Sequence, residues 1–301
     1  YRLPQLNSSK LVVTGSKESF LSINNILMMT AIFSIFLGVT YPLIIESMSG
    51  EKVSIGPPYY NTIFSPLILI TSFFIMISVE ALWQRSLPIR AVAYSVLPTI
   101  FFASISVYII WIYTQIFSML AYVGIFSGLL IFYSYFFRTI NNFFKKRYIN
   151  KGSAIAHMGL GLLFFSVSMN SILSYEKNIN LFSGQSERIN ESIQEFMFKD
   201  IKVYPASNHE VISAEVFILQ DQKKIFLNPQ KRQYMTRGQI TSETAIHATP
   251  LKDTYLTIGD QLENGSWTFS LKINYFVKWI WLSSALMVLG ISIAMFKKKL
   301  T

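Results

Sequence analysis

The chain has 301 residues, of which 51% are hydrophobic and only 14% charged, well under the quarter usual in soluble domains. It contains no cysteine, which excludes disulfides, thiolate catalysis and cysteine-based metal sites. The formal net charge of +10 comes mainly from basic residues beside apolar segments, a placement that fits membrane topology and anionic lipid better than nucleic acid.

The first residue is Tyr1 and no secretory leader pattern follows it, so a part upstream is expected to have been removed or to be encoded separately. Residues 1–22 read as a polar tail on the inner face, with Arg2, Lys10 and Lys17 against Glu18. Six stretches then reach the roughly 20 apolar residues needed to cross a bilayer: Ile26–Ile45, Ile63–Leu82, Ala91–Tyr113, Ile116–Phe137, Ser153–Leu173 and Phe276–Phe296. Positive charge alternates between the connecting loops. Glu46 and Glu51 outweigh Lys52 in the first, Arg85 and Arg90 mark the second, and the turn near Thr114 is uncharged. Arg138, Lys145, Lys146, Arg147 and Lys151 make the fourth loop the most basic, and Lys297, Lys298 and Lys299 close the chain. The positive-inside rule places both termini on the inner face.

The fold class expected is therefore a polytopic α-helical membrane protein of about six transmembrane helices. A small β-rich domain is inserted on the outer face between helices five and six. The domains are 1–22 (inner-face tail), 23–173 (five-helix membrane bundle), 174–274 (β-rich domain) and 275–301 (final helix and basic tail). In the insert, Ser213–Leu219, Lys224–Leu227, Thr254–Ile258 and Ser266–Ile273 alternate or are rich in β-formers, and Asn264-Gly265 is a hairpin signal. Several short strands without helical period point to a small sandwich or barrel. Lys231, Arg232, Tyr234 and Arg237 offer either a docking surface or an ordinary solvated strand. His209 and His247 lie far apart without ligand spacing and read as surface or turn residues. Trp111 with Tyr113, and Tyr275, Trp279 and Trp281 around Lys278, form interfacial aromatic belts. The Pro57-Pro58-Tyr59-Tyr60 loop is either a plain interfacial turn or a shaped lip over a ligand.

The fifth stretch carries the most chemistry. His157 is the only histidine in any apolar span, and an ionisable side chain at membrane depth marks a functional site by default. At helical spacing Ser153, His157, Gly161 and Ser168 share one face, giving the imidazole small neighbours and room for something broad. Two readings stay open on the residues alone: a neutral histidine hydrogen-bonded to a neighbouring helix, or a ligand, most naturally to haem iron. No Walker motif, dinucleotide fingerprint, HExxH or GxSxG elbow occurs. Glu80 is nearly the whole acidic inventory of the helices, and Pro42, Pro66 and Pro98 lack polar partners, so a transporter is poorly supported. The sequon-like triplets at Asn7, Asn190 and Asn264 are short enough to arise by chance.

Several blocks of the chain together resemble the C-terminal part of the cytochrome c maturation haem lyases, CcmF and its NrfE relatives. They are Ser16-Lys-Glu-Ser with Asn24-Asn25; Gly38-Val-Thr-Tyr-Pro-Leu43 followed by Ser54-Ile-Gly-Pro-Pro-Tyr-Tyr-Asn61; Ala154-Ile-Ala-His157-Met-Gly159 leading to Tyr175-Glu-Lys177; Asn228-Pro-Gln-Lys-Arg-Gln-Tyr234; and Phe276-Val-Lys-Trp-Ile-Trp281. They fall in family order and span nearly the whole chain.

The resemblance implies a multi-pass protein of the bacterial or mitochondrial inner membrane, with its β-rich domain in the periplasm or intermembrane space. It implies part of the system that attaches haem to the CxxCH cysteines of apocytochrome c, not catalytic alone. His157 matches one of the family's transmembrane histidine pair, and so is expected to be an axial ligand to the iron of a resident b-type haem. The second ligand is expected from a partner chain or a missing N-terminal part. The family's tryptophan-rich WWD segment and its flanking histidines are absent from this sequence. The partners implied are an N-terminal CcmF-like chain carrying that segment, apocytochrome c, a haem chaperone with other maturation subunits, and membrane lipid, with no nucleic acid. The alternative is an accessory or structural subunit of a larger inner-membrane assembly, without lyase activity of its own. Met48 is either an iron ligand in principle or simple interfacial packing. The heavy use of Phe, Tyr, Ile, Asn and Lys suits an organelle or an endosymbiont equally.

Overall fold

The computed structural model describes residues 13–87, 89–146, 150–189, 193–220, 222–235 and 238–298. Arg2, Asn7, Lys10, Arg147, Asn190, Arg237 and Lys299 lie outside the described residues. The chain divides into two compact units, one of residues 1–172 with 279–301 and one of residues 173–278.

The first unit consists of long apolar helices, each able to cross a membrane by length and composition, six of them among the described residues. They are α1 (Lys17–Ser49), α2 (Pro57–Ser78), α3 (Ile89–Thr114), α4 (Met119–Phe144), α5 (Lys151–Leu173) and α6 (Val277–Lys298). At 1.5 Å per residue, even the 22-residue α2 is about 33 Å long, enough for a hydrocarbon core of about 30 Å. The unit is a multi-pass membrane bundle.

Helix ends differ from the expected spans where capping chemistry outruns hydropathy. α1 starts at Lys17, inside the stretch read as a polar tail, because Ser16 caps it. The Ser16 side chain accepts the Ser19 backbone N–H at 3.4 Å, and the Ser19 hydroxyl donates to the Ser16 carbonyl at 2.8 Å. Gly50, at φ 74°, stops the helix by donating its N–H to the Glu46 carbonyl at 3.0 Å. α2 begins at Pro57, where a missing N–H costs nothing, and ends at Ser78, so Glu80 lies in the turn beyond. Tyr59 and Tyr60 are thereby helical. They pack on Gly38 of α1, where a Cβ would stand 2.8 Å from the Tyr60 hydroxyl oxygen, and the Tyr59 hydroxyl donates to the Ser34 carbonyl at 3.1 Å. The proline-tyrosine stretch is a helix-packing device, not a lip. α4 runs to Phe144, which puts Arg138 inside a helix and not in the following loop. Met48, 81% exposed in the last turn of α1, is not packed against the bundle.

The second unit is a β-sandwich. One sheet has the order β1 (Tyr175–Leu181), β10 (Trp267–Tyr275), β9 (Lys252–Gln261), β8 (Ala245–Ala248). The other has the order β2 (Ser186–Glu187), β3 (Ile193–Pro205), β4 (His209–Gln220), β6 (Gln230–Tyr234), β7 (Ile240–Glu243), with β5 (Lys223–Leu227) also paired to β4. Inward residues of both sheets close one core, among them Ile179, Phe196, Phe198, Val216, Ile218, Leu256, Ile258, Phe269 and Leu271. Alternation along β9 and β10 produces this directly. The Asn264-Gly265 turn closes the β9–β10 hairpin, with Gly265 at φ 87° and its N–H donating to the Leu262 carbonyl at 2.8 Å.

The Asn228-Pro229 step explains itself in the ladder. β4 pairs with β5 through Val216–Gln220 and with β6 through His209–Ser213, so the chain bends at Asn228-Pro229 while following one partner. Pro229 has no N–H to give, yet its carbonyl still accepts from Ala214 at 3.0 Å, and the Ser213 hydroxyl donates to the Asn228 side chain. The basic residues that follow are largely spent within the domain. Lys231, with its side chain 13% exposed, pairs with Asp260 of the opposite sheet, and Arg232 lies 3.3 Å from Glu243. Tyr234 packs on His209 at 5.1 Å between ring centres, and His247 sits in β8.

Glu215 receives hydrogen bonds from Lys202 and Lys199, which hold its carboxyl below the ordinary carboxylate value of 4.5. A depressed folded-state value means that the ionised form favours folding. Its contribution is present above the ordinary value and is lost as pH falls from there through the lower folded value. A Glu215→Gln sandwich (residues 172–278) should therefore show a flatter fall of Tm than the parent as pH drops below the ordinary carboxylate value of 4.5. Identical acid limbs in calorimetry would refute the assignment.

Candidate functional site

The site begins with the way α5 is held. Antiparallel α4 lies against it with backbones nearly touching: a Cβ on Gly128 would stand 2.6 Å from the Gly161 carbonyl oxygen, and one on Gly161 equally close to that of Gly128. One step along, a Cβ on Gly124 would meet the Ser168 hydroxyl at 2.0 Å. Gly152 and Gly159 make the same kind of contact with α6, at the Gly290 and Ser283 carbonyls. Small residues permit this approach, and dispersion between close backbones rewards it.

This corrects the expectation that Gly161 and Ser168 leave room beside His157. They share its helical face, but α4 fills that space. Room opens one turn further toward the start of α5, where the α4 residue facing His157 is Tyr135. The seam register carries this pairing: 124 faces 168, and eleven residues on along α4 and eleven back along α5, 135 faces 157. The two rings stack with centres 4.4 Å apart and planes 15° from parallel.

The imidazole is half-buried and its Nδ1 lies 2.8 Å from the Ser153 carbonyl oxygen. A carbonyl only accepts, so Nδ1 carries the proton and the lone pair is on Nε2. Among the described residues no group hydrogen-bonds Nε2. Fixing one ring nitrogen by a backbone carbonyl while the other keeps its lone pair is the arrangement that metal-ligating histidines use.

His157 borders a cavity of about 640 Å³ between α1, α2, α4 and α5, within the range of small-molecule and cofactor sites. Phe20, Leu27, Phe74, Ile75, Val79 and Leu160 provide apolar wall. Lys17, Trp83, Arg138, Asn142 and Asn150 also line it, and they lie at the start of α1, just beyond α2, in the last turns of α4 and just before α5. Arg138 is one helical turn beyond Tyr135. Sequence reading missed Tyr135, Arg138 and Lys17 as site residues. The first two carried a weak signal, a polar aromatic and a cation at i and i+3 near the end of an apolar helix; Lys17 carried none. Among the described residues no group of three or more His, Asp and Glu is placed to hold a metal ion.

A family profile described as the CcmF C-terminal beta-sandwich matches residues 172–275, which is the second unit almost to the residue. The cytochrome c-type biogenesis protein CcmF of Pseudomonas aeruginosa is 27% identical, over 97% of this chain and 46% of its own length. The chain is thus similar, over nearly its whole length, to the C-terminal part of CcmF proteins. CcmF of Escherichia coli K12 is 28% identical, over 91% of the chain and 43% of its own length. The NrfE protein of Haemophilus influenzae is 26% identical, over 93% and 44%. A solved structure of "Cytochrome c Heme Lyase CcmF" superposes with a TM-score of 0.71 at 13% identity, covering 93% of this chain and 46% of that one. That likeness extends the shared fold over both units. The chain spans a little under half the length of the curated relatives it matches.

Proposed function

We propose that this chain is the C-terminal part of a membrane haem lyase system. It works with a separate WWD-bearing part to attach haem to the CxxCH cysteines of apocytochrome c, and His157 supplies one axial ligand to a resident b-type haem. The observation that carries the proposal is the His157 tautomer: Nδ1–H is committed to the Ser153 carbonyl at 2.8 Å, and the ring borders a cavity of about 640 Å³.

The donor set fits haem on one side. An imidazole with a free Nε2 is a suitable axial ligand, apolar walls suit the macrocycle, and cationic residues share the cavity. No second histidine and no methionine is among the described residues that line it; a second ligand would be supplied by the WWD-bearing part. When bound, the haem supplies a one-electron couple for reducing the iron of an incoming haem. The chain's own residues orient and exclude. The Ser153 carbonyl holds the tautomer, the Tyr135 ring limits rotation of the imidazole, and Phe20, Phe74 and Leu160 keep water from the ring.

The alternation of loop charge supports an inner-membrane topology with the sandwich outside. His157 is then about two turns, roughly 9 Å, from the inner end of α5. That depth favours a resident electron-transfer site over contact with apocytochrome thiols. The sandwich faces apocytochrome or partner subunits with a surface other than Lys231 and Arg232, whose charges are already paired.

Depleting the chain in its host and measuring covalent haem on c-type cytochromes tests the role. Holocytochrome c should fall to a small fraction of normal while transcripts of the apoproteins persist. Normal holocytochrome levels would leave only the accessory, structural reading.

A further inference from the structure

We propose that Lys17 and Arg138 form an anion seat in the wall of the His157 cavity, and that it takes the two carboxylates on the edge of the porphyrin. This rests on the reading of His157 as a haem ligand and adds the orientation of the macrocycle to it.

Three observations converge. First, both cations line the same cavity as His157, and no carboxylate is among the described residues that do so. Glu18, next to Lys17 in sequence, is turned away, its two oxygens each 3.1 Å from the Gln84 backbone N–H that they cap. Second, both cations are half-buried, and none of the ion pairs among the described residues involves either. The Lys17 ammonium instead stands 5.7 Å from the Trp83 ring centre. Two like charges kept in one partly desolvated space without a counter-charge are costly until an anion arrives. Third, their place in the fold is fixed from both sides. The Lys17 backbone N–H donates to the Leu82 carbonyl at 3.0 Å, tying the start of α1 to the turn after α2. Arg138 follows Tyr135 by one turn, about 4.5 Å along α4, and Tyr135 is stacked on His157.

The cavity wall is of two kinds: the imidazole with apolar side chains such as Phe74 and Leu160, and two cations with Asn142 and Asn150. A flat apolar ring with a metal at its centre and two carboxylates on one edge has the complementary features. Arg138 binds a carboxylate through its planar fork and Lys17 as a point charge.

The test uses the chain purified with its WWD-bearing part, stripped of haem and titrated with hemin and with hemin dimethyl ester, whose carboxylates are blocked. The parent should bind hemin at least about tenfold more tightly than the ester. Lys17→Gln with Arg138→Gln should lose that preference while keeping the histidine-ligated Soret band, and Lys17→Arg with Arg138→Lys should restore it. Equal affinity of the parent for both probes overturns the seat and leaves the haem ligand intact. Failure of both probes to give a histidine-ligated spectrum overturns the ligand reading itself. Lipid mass spectrometry of the same samples covers the other anion source. If the double glutamine variant sheds bound anionic phospholipid yet still prefers hemin, the seat belongs to a headgroup and the proposal fails.

Discussion

A His157→Ala chain, purified with the WWD-bearing part, is expected to lose its b-type absorbance entirely while remaining folded. The reason for the large spectral effect is that no other described lining residue is a histidine or methionine, so nothing replaces Nε2. The reason for the small structural effect is that the side chain contributes one hydrogen bond, to Ser153, and one ring stack, with Tyr135. Together these are worth about 1–2 kcal/mol, a modest part of the stability of a bundle this size. A His157→Gly chain given free imidazole should regain the band, an outcome that a packing role for the side chain does not produce. Reduced-minus-oxidised spectra read the result. An undiminished band in the alanine variant would sink the ligand assignment.

The second large effect is expected at the glycine seam. Replacing Gly161 by Leu, or Gly128 by Leu, drives a side chain into backbone that stands 2.6 Å from where its Cβ must be. Backbone cannot rotate aside as a side chain does, so α4 and α5 must separate, at a cost on the order of 3 kcal/mol or more. The chain should accumulate poorly, and what does accumulate should bind haem weakly, because the seam register is what brings Tyr135 against His157. Val288→Leu on α6, at a position 65% exposed, is the control and should leave both accumulation and spectrum unchanged. Membrane-fraction yield with the haem-to-protein ratio separates the outcomes. A Gly161→Leu chain with parental yield and spectrum would show that the seam does not set the site.

The membrane spans and the sandwich were legible in the sequence because the forces behind them act along the chain. An apolar run of bilayer length, or an alternation such as Tyr255 to Ile258, needs no knowledge of neighbours to be read. Helix ends were less legible. Ser16 and Pro57 govern theirs through hydrogen bonds and backbone restriction that hydropathy does not register. Strands β6, β7 and β8 carried too little apolar alternation to stand out, since ladder partners rather than side-chain pattern hold them; β1 and β3 do alternate, with Ile179, Leu181, Phe196 and Phe198 turned inward, and were missed. Lys231 and Arg232 looked like docking charges because their acidic partners, Asp260 and Glu243, are distant in sequence.

By itself the sequence determined the polytopic class, the β insert and the singular position of His157, since insertion energetics and residue inventory depend on composition along one dimension. It also determined that Gly161 and Ser168 share the histidine's face. Only the tertiary structure decided what that face meets. Backbone contact at Gly128 closes one part of it, and Lys17, Trp83 and Arg138, up to 140 residues away, converge on the other. Which residues share a cavity follows from the packing register of helices, and that register is set by close contacts between segments whose separation no local pattern encodes.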